Sequence, residues 1–406
     1  MMDRAYVLFE EQQIARGINL DQVRHKLKAL RIETPSWGYG DSGTRFKVYP
    51  KQGVPRNPFE KLEDAAQVHA FTGLAPSVAI HIPWDKVDDY SQLRAYAEGL
   101  GLSIGAVNPN LFQEEDYMLG SVTHSDAKIR RKATDHLLEC VDIAKETGSK
   151  DISLWFADGT NYPGQGHIRK RKAWMQEALS ELYKKLTPHM RMLIEYKSFE
   201  PAFYHTDLAD WGMAYNMAMK LGPQAEVLVD TGHHAQGTNI EHIVAYLIDE
   251  KRLGGFHFNS RKYADDDLIV GSVNPYELFL IFYQIISASE EQDAGIVQTV
   301  NNIAYMIDQS HNIEQRIPAM IRSVMNVQTQ FAKALLINHD EIEDAQSRND
   351  VLGAEDAVRS AYEIDVTPLL HAIREEQNLP LNPMKAYMES SYEQDIQVRG
   401  KGGASW

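Results

Sequence analysis

Short apolar runs and amphipathic segments alternate along most of the chain. The runs that we predict as strands end at polar or aromatic residues, namely Trp37, His81 to Trp84, Asn108, Trp155, Glu195 to Lys197, Asp230, His257 and Asp308. The segments between them repeat apolar residues at helical spacing, and four of these helices should begin near Asp126, Asp207, Asn239 and Asn274, which are typical N-cap residues. Each gap between runs has room for a crossover helix, so the strands should be parallel.

Eight strand–helix units are the number that closes a (β/α)8 barrel. An open doubly wound sheet would alternate in the same way, but no G-x-G-x-x-G fingerprint follows the first predicted strand. We therefore predict an α/β protein built on a TIM barrel. The predicted parts are an N-terminal helical segment over 1–33, the catalytic barrel over 34–339, a helical C-terminal extension over 340–398 and a Gly-rich, disordered tail over 399–406.

Composition narrows the classes of function. With 41 Lys and Arg against 57 Asp and Glu, the net charge is −16, so we expect no nucleic-acid partner. The single cysteine, Cys140, leaves no intrachain disulfide and no thiolate zinc site. The longest apolar run, Leu278 to Tyr283, is too short to span a bilayer, and Glu10 and Glu11 interrupt any signal-peptide core. We expect a cytoplasmic protein with no membrane partner.

The last four predicted strands end in residues of types that commonly coordinate cations. These are Glu195, Asp230, His257 and Asp308. In a barrel of this kind, catalytic groups come from the C-terminal ends of several strands, so the four should point at one spot. A cap or a salt bridge would explain any one carboxylate alone. A cluster of like charges is unfavourable unless a cation neutralises it, so the repeated placement predicts a metal site.

A second set of candidate ligands follows two of these strands. His233 lies three residues after Asp230, while Asp265 and Asp267 share one face of an extended loop in KYADDD. With Asp230 bridging, they predict a second metal site beside the first. For the acidic run alone, a solvated loop is the alternative interpretation. Carboxylates with imidazole suit Mn²⁺, Mg²⁺ or Co²⁺ better than ions that prefer thiolates.

Other residues at the strand ends suit a sugar substrate. Lys197 shares a face with Glu195, so it can stabilise negative charge on a substrate oxygen or pair with a ligand carboxylate. We predict that His81 is a general acid–base that opens a sugar ring, the alternative being a core histidine, and we interpret His234 as structural. The aromatic residues that should wall the mouth of the barrel and stack on a sugar are Trp37, Trp84 and Trp155.

Several motifs together resemble one enzyme family. The motifs are PSWGYGDSGTRF, HIPWDK, DGTNYPGQ, IEYKSFEPAFY, LVDTGHH, GGFHFNSRKYADDD and MIDQSHN. They resemble the L-rhamnose isomerases of the Pseudomonas type, which belong to the xylose-isomerase-like barrel enzymes, and the resemblance spans about residues 30 to 390. It implies a (β/α)8 barrel, a homotetramer, and two divalent ions per subunit, with Mn²⁺ favoured and Co²⁺ or Mg²⁺ as alternatives.

The resemblance also implies roles for individual residues. It assigns a structural metal site to Glu195, Asp230, His257 and Asp308. It assigns a catalytic metal site to His233, Asp265 and Asp267. It places in the substrate pocket His81, Lys197, Trp37, Trp155 and Ser310, and it implies that Phe46 reaches the pocket of a neighbouring subunit. The chain departs from the family at Tyr196, where histidine is often found, and this departure bears on substrate preference.

The predicted reaction is therefore aldose–ketose isomerisation of a small sugar. We predict interconversion of L-rhamnose and L-rhamnulose, with D-allose and D-psicose as a related pair, by hydrogen transfer between C2 and C1 of the open chain at the two-metal site. A hydride shift is favoured over an enediol route because the cluster has few spare carboxylates. The alternatives are another metal-dependent sugar isomerase or epimerase on the same barrel, a metallohydrolase such as a phosphodiesterase-like nuclease, and a non-catalytic sugar-binding barrel.

Overall fold

A closed barrel of eight parallel strands forms the centre of the molecule. The computed structural model describes residues 4–41, 48–199, 205–265, 267–310 and 313–402. The barrel strands are β1 (Glu33–Pro35), β2 (Ser77–Ile82), β3 (Ser103–Pro109), β4 (Asp151–Leu154), β6 (Arg191–Glu195), β8 (Ala225–Asp230), β9 (Leu253–Phe258) and β10 (Ala304–Ile307). Two short strands outside the barrel pair antiparallel, β5 (Gly159–Thr160) with β7 (His205–Thr206). Since β1 pairs with β10, the predicted (β/α)8 fold is confirmed.

Helices connect the strands and cover the barrel. Before and between the strands lie α1 (Arg4–Ala15), α2 (Leu20–Ala29), α3 (Pro58–Thr72), α4 (Tyr90–Gly99), α5 (Ala127–Thr147), α6 (Ile168–Lys185), α7 (Trp211–Leu221), α8 (Ile240–Asp249), α9 (Pro275–Ser289) and α10 (Ala294–Asn301). After the last strand follow α11 (Arg316–Ala334), α12 (His339–Ser347), α13 (Val351–Tyr362), α14 (Thr367–Glu376), α15 (Pro383–Met388) and α16 (Tyr392–Asp395). No helix in the described part of the chain is long and apolar enough to cross a membrane.

The predicted helix starts agree with the structure at three places. The side chains of Asp126, Asn239 and Asn274 each accept a backbone N–H from the first turn of α5, α8 and α9, and this contact satisfies a donor that the helix leaves unpaired. The helix predicted near Asp207 begins slightly later, because Asp210 supplies the cap of α7.

Alternation along the strands stacks side chains in layers inside the barrel. At the N-terminal end of the barrel, Arg191 pairs with Asp151 (Nε–Oδ1, 2.8 Å) and Glu226 (Nη1–Oε2, 2.7 Å). Above this ionic layer lies an apolar cluster of Trp37, Ala79, Ala106, Leu193, Leu228 and Met306. Side chains two positions further along a strand point the same way. Leu193, Leu228 and Met306 are therefore followed by carboxylates at the C-terminal end of the barrel, namely Glu195, Asp230 and Asp308, whereas Ala79 and Ala106 are followed by His81 and Asn108.

The C-terminal helices pack close to the barrel, and the packed chain extends past the predicted start of the tail. Arg399 is buried, and its guanidinium pairs with Asp64 (2.7 Å) and Glu63 (2.9 Å), both on α3. Arg399 is the first residue of the predicted tail, and the extent of that tail stays a prediction. Residues 403–406 lie outside the described residues.

Candidate metal centre and substrate pocket

The four predicted strand-end ligands come together at the C-terminal mouth of the barrel. One ligand atom from each of Glu195, Asp230, His257 and Asp308 lies within 4.8 Å of the others. The parallel register explains this convergence, because Asp230 on β8 lies opposite His257 on β9, and Asp308 directly follows β10. His257 Nδ1 is 3.2 Å from Glu195 Oε2 and 3.8 Å from Asp308 Oδ2.

The chemistry of this first group fits a divalent cation. Burial raises the pKa of Glu195 and of Asp230, and the neighbouring carboxylates raise the pKa of Asp230 further. Burial opposes charge on His257, but Glu195 and Asp308 raise the pKa of this imidazole to about 10. Despite its nearness to two carboxylates, His257 Nδ1 makes no hydrogen bond with any described residue. Convergent buried donor atoms of this kind are what a metal ion satisfies.

A second group shares Asp230 with the first. Ligand atoms of Asp230, His233 and Asp265 lie within 4.8 Å of one another, with His233 Nε2 3.8 Å from Asp230 Oδ2 and 3.7 Å from Asp265 Oδ2. His233 Nδ1 donates to the Tyr196 carbonyl (3.0 Å), so its Nε2 carries the lone pair that a metal needs. Burial lowers the pKa of His233 to about 3, and the imidazole is therefore neutral at pH 7.

Asp267 lies next to the second group but is not part of it. This side chain is buried and hydrogen-bonded to the carboxylate of Asp265, and burial together with Asp265 raises its pKa well above the ordinary value. Its backbone is in the left-handed region, at φ 45°. The second group as observed therefore contains three of the four predicted ligands, and the ligand role of Asp267 stays a prediction.

Lys197 lies against the second group. Its Nζ is 2.7 Å from Asp265 Oδ2. Of the two roles considered for Lys197, the structure therefore shows the ion pair with a candidate ligand carboxylate. The ammonium also lies 5.2 Å from the ring centroid of Trp155, which is a cation–π distance. Lys197 is thus the positive group between the candidate metal site and the aromatic wall of the pocket.

The aromatic residues form one wall around His81. The imidazole stacks on Trp84, with ring centroids 3.8 Å apart, and it meets Trp37 edge-on at 5.5 Å. The indole N–H of Trp37 donates to Asp308 Oδ1 at 2.8 Å, so this tryptophan also holds a candidate metal ligand. Phe112 closes the wall, 5.8 Å from His81 and 4.8 Å from Trp155 between centroids.

Two polar atoms in this wall have no hydrogen-bond partner among the described residues. They are His81 Nδ1 and Trp155 Nε1, and both are buried. Burial, with a smaller effect of Lys61, lowers the pKa of His81 well below the ordinary value, so the imidazole stays neutral. The half-buried Ser310 donates its backbone N–H to the Asp267 carbonyl (3.3 Å). Phe46, the predicted contact to a neighbouring subunit, lies outside the described residues.

Sequence reasoning missed two residues of the site. Phe112 follows β3 closely, as the three predicted tryptophans follow or end their own strands, so the same criterion would have found it. Asn259 lies two residues after His257, and its amide contacts Asp230. His234, interpreted as structural, hydrogen-bonds through Nε2 with the hydroxyl of Tyr196 at 2.6 Å, and its structural role stays a prediction.

Comparisons with known proteins agree with this architecture. Residues 64–278, more than half of the chain, match the xylose isomerase-like TIM barrel family. A probable sugar isomerase of Rhizobium meliloti (strain 1021) is 41% identical, over 99% of this chain and 95% of its own length. Another, of Mesorhizobium japonicum, is 40% identical, over 96% of this chain and 91% of its own length.

Two solved structures share the fold at low sequence identity. An L-ribulose 3-epimerase has a TM-score of 0.54 at 14% identity and covers 80% of this chain and 98% of its own. A 3-keto-D-glucoside 4-epimerase from E. coli has a TM-score of 0.51 at 13% identity and covers 74% of this chain and 99% of its own. Because the family matches more than half of the chain and two probable sugar isomerases are similar over nearly all of it, the chain belongs to the xylose isomerase-like TIM barrel family.

Proposed function

We propose that this protein is a metal-dependent aldose–ketose isomerase. The observation that carries the proposal is that Asp230 belongs to both ligand groups, so two divalent cations would lie side by side at the mouth of the barrel. The similar proteins from Rhizobium meliloti and Mesorhizobium japonicum are probable sugar isomerases, which supports the reaction class. The resemblance of the strand-end motifs supports L-rhamnose and L-rhamnulose as the substrate pair, with D-allose and D-psicose as a second pair.

The residues present suit a pair of Mn²⁺ ions, with Co²⁺ or Mg²⁺ as alternatives. Glu195, Asp230, His257 and Asp308 would hold one ion. The other would be held by Asp230, His233 and Asp265, with Asp267 as a further ligand. When bound, such ions polarise sugar oxygens and lower the pKa of bound water.

The wall residues orient and protonate the sugar in this proposal. The neutral His81 imidazole has a buried Nδ1 with no hydrogen-bond partner among the described residues. This atom can exchange a proton with the ring oxygen or the anomeric hydroxyl of a bound sugar and so open the ring. The buried N–H of Trp155, which has no partner among the described residues, can donate to a second hydroxyl of the sugar. Lys197, beside Asp265, can donate to the oxygen on which negative charge develops. The aromatic rings around them keep bulk water away from the reacting carbons.

Hydrogen would then move between C2 and C1 of the open-chain sugar. An enediol route needs a carboxylate or imidazole that is free to remove the C2 proton. The described carboxylates at the ends of β6, β8 and β10 and in the loop after β9 lie in the ligand groups or bond to them. Because His81 opens the ring in this proposal, we favour a hydride shift. Turnover in D₂O distinguishes the routes, because substantial deuterium in the product would contradict a hydride shift.

An assay of metal-dependent turnover tests the proposal. Chelator-stripped protein would be offered L-rhamnose, D-allose, L-mannose, L-lyxose and D-xylose, with and without MnCl₂. We expect a ketose product only after Mn²⁺ is added, with L-rhamnose turned over most efficiently. Conversion of one ketose into another without any aldose would identify an epimerase instead. Sugar binding without turnover at every metal concentration would mean a non-catalytic barrel.

The resemblance also supports a homotetramer, in which Phe46 of one subunit reaches the pocket of another. Light scattering of the purified protein would measure the mass of the assembly. We expect four times the mass of the chain, and a monomer at the working concentration would contradict this assembly.

A further inference from the structure

The amide of Asn259 lies directly behind the carboxylate that the two ligand groups share. This residue follows β9, is 5% exposed, and places Nδ2 3.0 Å from Asp230 Oδ1 and 3.2 Å from Asp230 Oδ2. Carboxylate oxygens only accept hydrogen bonds, so the amide nitrogen must face Asp230. A second donor, the backbone N–H of Gly232, reaches Oδ1 at 2.6 Å.

The backbone of Asn259 is fixed independently of its side chain. Its N–H donates to the Thr231 hydroxyl at 3.0 Å, and that hydroxyl donates to the Asn259 carbonyl at 3.0 Å. The N–H of Thr231 donates in turn to the His257 carbonyl at 3.0 Å. These contacts join the ends of β8 and β9 through main-chain atoms that any residue at position 259 retains. A change of this side chain should therefore leave the connection between the strands in place.

The position two residues after Asp230, Gly232, has little room for a Cβ. A Cβ on Gly232 would lie 2.7 Å from Asn259 Oδ1 and from Asp265 Oδ1, and 3.1 Å from Asp230 Oδ1. Real side chains do not approach other atoms this closely, so the turn after β8 can pass between the three polar side chains only without a Cβ. The local packing thus presses Asn259 against Asp230 and leaves little freedom for either group.

The two ligand groups depend on Asp230 to different degrees. Among the described residues, the first group has three other members, whereas the second has His233 and Asp265. If Asp230 lost its amide donor, its carboxylate could rotate and offer both oxygens to the first ion, a bidentate mode that carboxylates commonly adopt. The first site would keep its ligands and the second would lose one of three.

We propose that Asn259 is a positioning residue that sets the affinity of the second ion by fixing the orientation of Asp230. This inference rests on the proposed function, because it requires two ions at the two groups. Partners that orient a metal ligand commonly change metal affinity by about 10- to 100-fold when they are removed. Loss of the Asn259 amide should therefore weaken binding of the second ion and leave binding of the first nearly unchanged.

Titration of the stripped protein with MnCl₂ tests the inference. The variant Asn259→Leu removes the donor at similar volume, and Asn259→Ala is a milder second variant that keeps the main-chain contacts. Calorimetry or electron paramagnetic resonance would report the number of ions and each dissociation constant. For both variants we expect the first ion within about threefold of wild type and the second weakened about 10- to 100-fold.

A matched control separates this role from a general loss of packing. Asn326 donates its amide to the Val270 carbonyl at 2.7 Å and is not among the candidate ligands, so Asn326→Leu should bind both ions as wild type does. Unchanged binding of both ions in the Asn259 variants, or equal weakening of both, would overturn the inference. Wild-type protein that binds no Mn²⁺ would instead refute the proposed function.

Discussion

Removal of divalent ions should destabilise the folded barrel by a measurable amount. Each ion that binds only the folded state, at a free concentration 100 times its dissociation constant, contributes about 2.7 kcal/mol to stability. At about 2.1 cal/mol/K per residue, the unfolding entropy of 406 residues is about 0.85 kcal/mol/K, so one ion raises Tm by about 3 °C. Two ions should therefore raise Tm by about 6 °C.

Variants in the two ligand groups should separate the rise in Tm that each ion causes. Asp265→Asn changes a ligand of the second group alone, so about 3 °C of the shift with MnCl₂ should remain while turnover is lost. Asp230→Asn weakens both groups, and the shift should nearly vanish. In the stripped protein, Asp230→Asn should melt at or above wild type, because it removes a buried carboxylate that lies beside Glu195 and Asp265.

Differential scanning calorimetry with a chelator, and then with MnCl₂ at increasing concentration, provides the measurement. Asp135→Asn is a matched control, since this exposed carboxylate pairs with Arg131 on the surface of α5 and should leave the ion-dependent shift unchanged. A wild-type Tm that does not respond to millimolar MnCl₂ would refute the reasoning, and so would an equal shift in Asp230→Asn.

Three further predictions concern single groups. Because Glu195 and the other carboxylates raise the pKa of His257 to about 10, this imidazole is protonated in the stripped protein at pH 7. Mn²⁺ binding should then release a proton, which calorimetry in buffers of different ionisation enthalpy detects. Lys197→Met should lower kcat more than it raises KM, whereas a pure KM effect would make it a binding residue. Arg191→Met should cost about 3–5 kcal/mol of stability in denaturant titrations without changing Mn²⁺ stoichiometry.

The fold and the first ligand group could be predicted from the sequence because both follow from strand periodicity. A parallel barrel brings the C-terminal ends of all its strands to one face, so a residue at the end of a strand is placed without knowledge of any loop. Glu195, Asp230 and His257 all lie on strands, and Asp308 directly follows one. Helix caps such as Asp126 were predictable for a similar reason, because the side chain bonds to its own first turn.

Contacts that depend on the conformation of loops, or on distant parts of the chain, could not be predicted from the sequence. Asp265 and Asp267 share a face only if the loop is extended, but Asp267 adopts a left-handed backbone and turns its side chain to Asp265. Asn259 contacts Asp230 where the backbone of Gly232 approaches both side chains closely. The spacing of residues in the sequence does not predict such an approach. The burial of Arg399 depends on α3, more than 300 residues earlier in the chain.

The two ends of the barrel differ in the groups that neutralise their buried carboxylates. At the N-terminal end, Arg191 lies between Asp151 and Glu226, so the chain supplies the cation that its own buried carboxylates need. At the mouth, Lys197 pairs with Asp265, and the carboxylates of Glu195, Asp230 and Asp308 face the imidazoles of His233 and His257. The apolar cluster between these layers keeps them apart, so the positive charge below cannot approach the carboxylates above. The fold neutralises one end of the barrel with its own arginine and leaves the other end acidic. That acidic mouth would attract divalent cations electrostatically, as the proposed function requires.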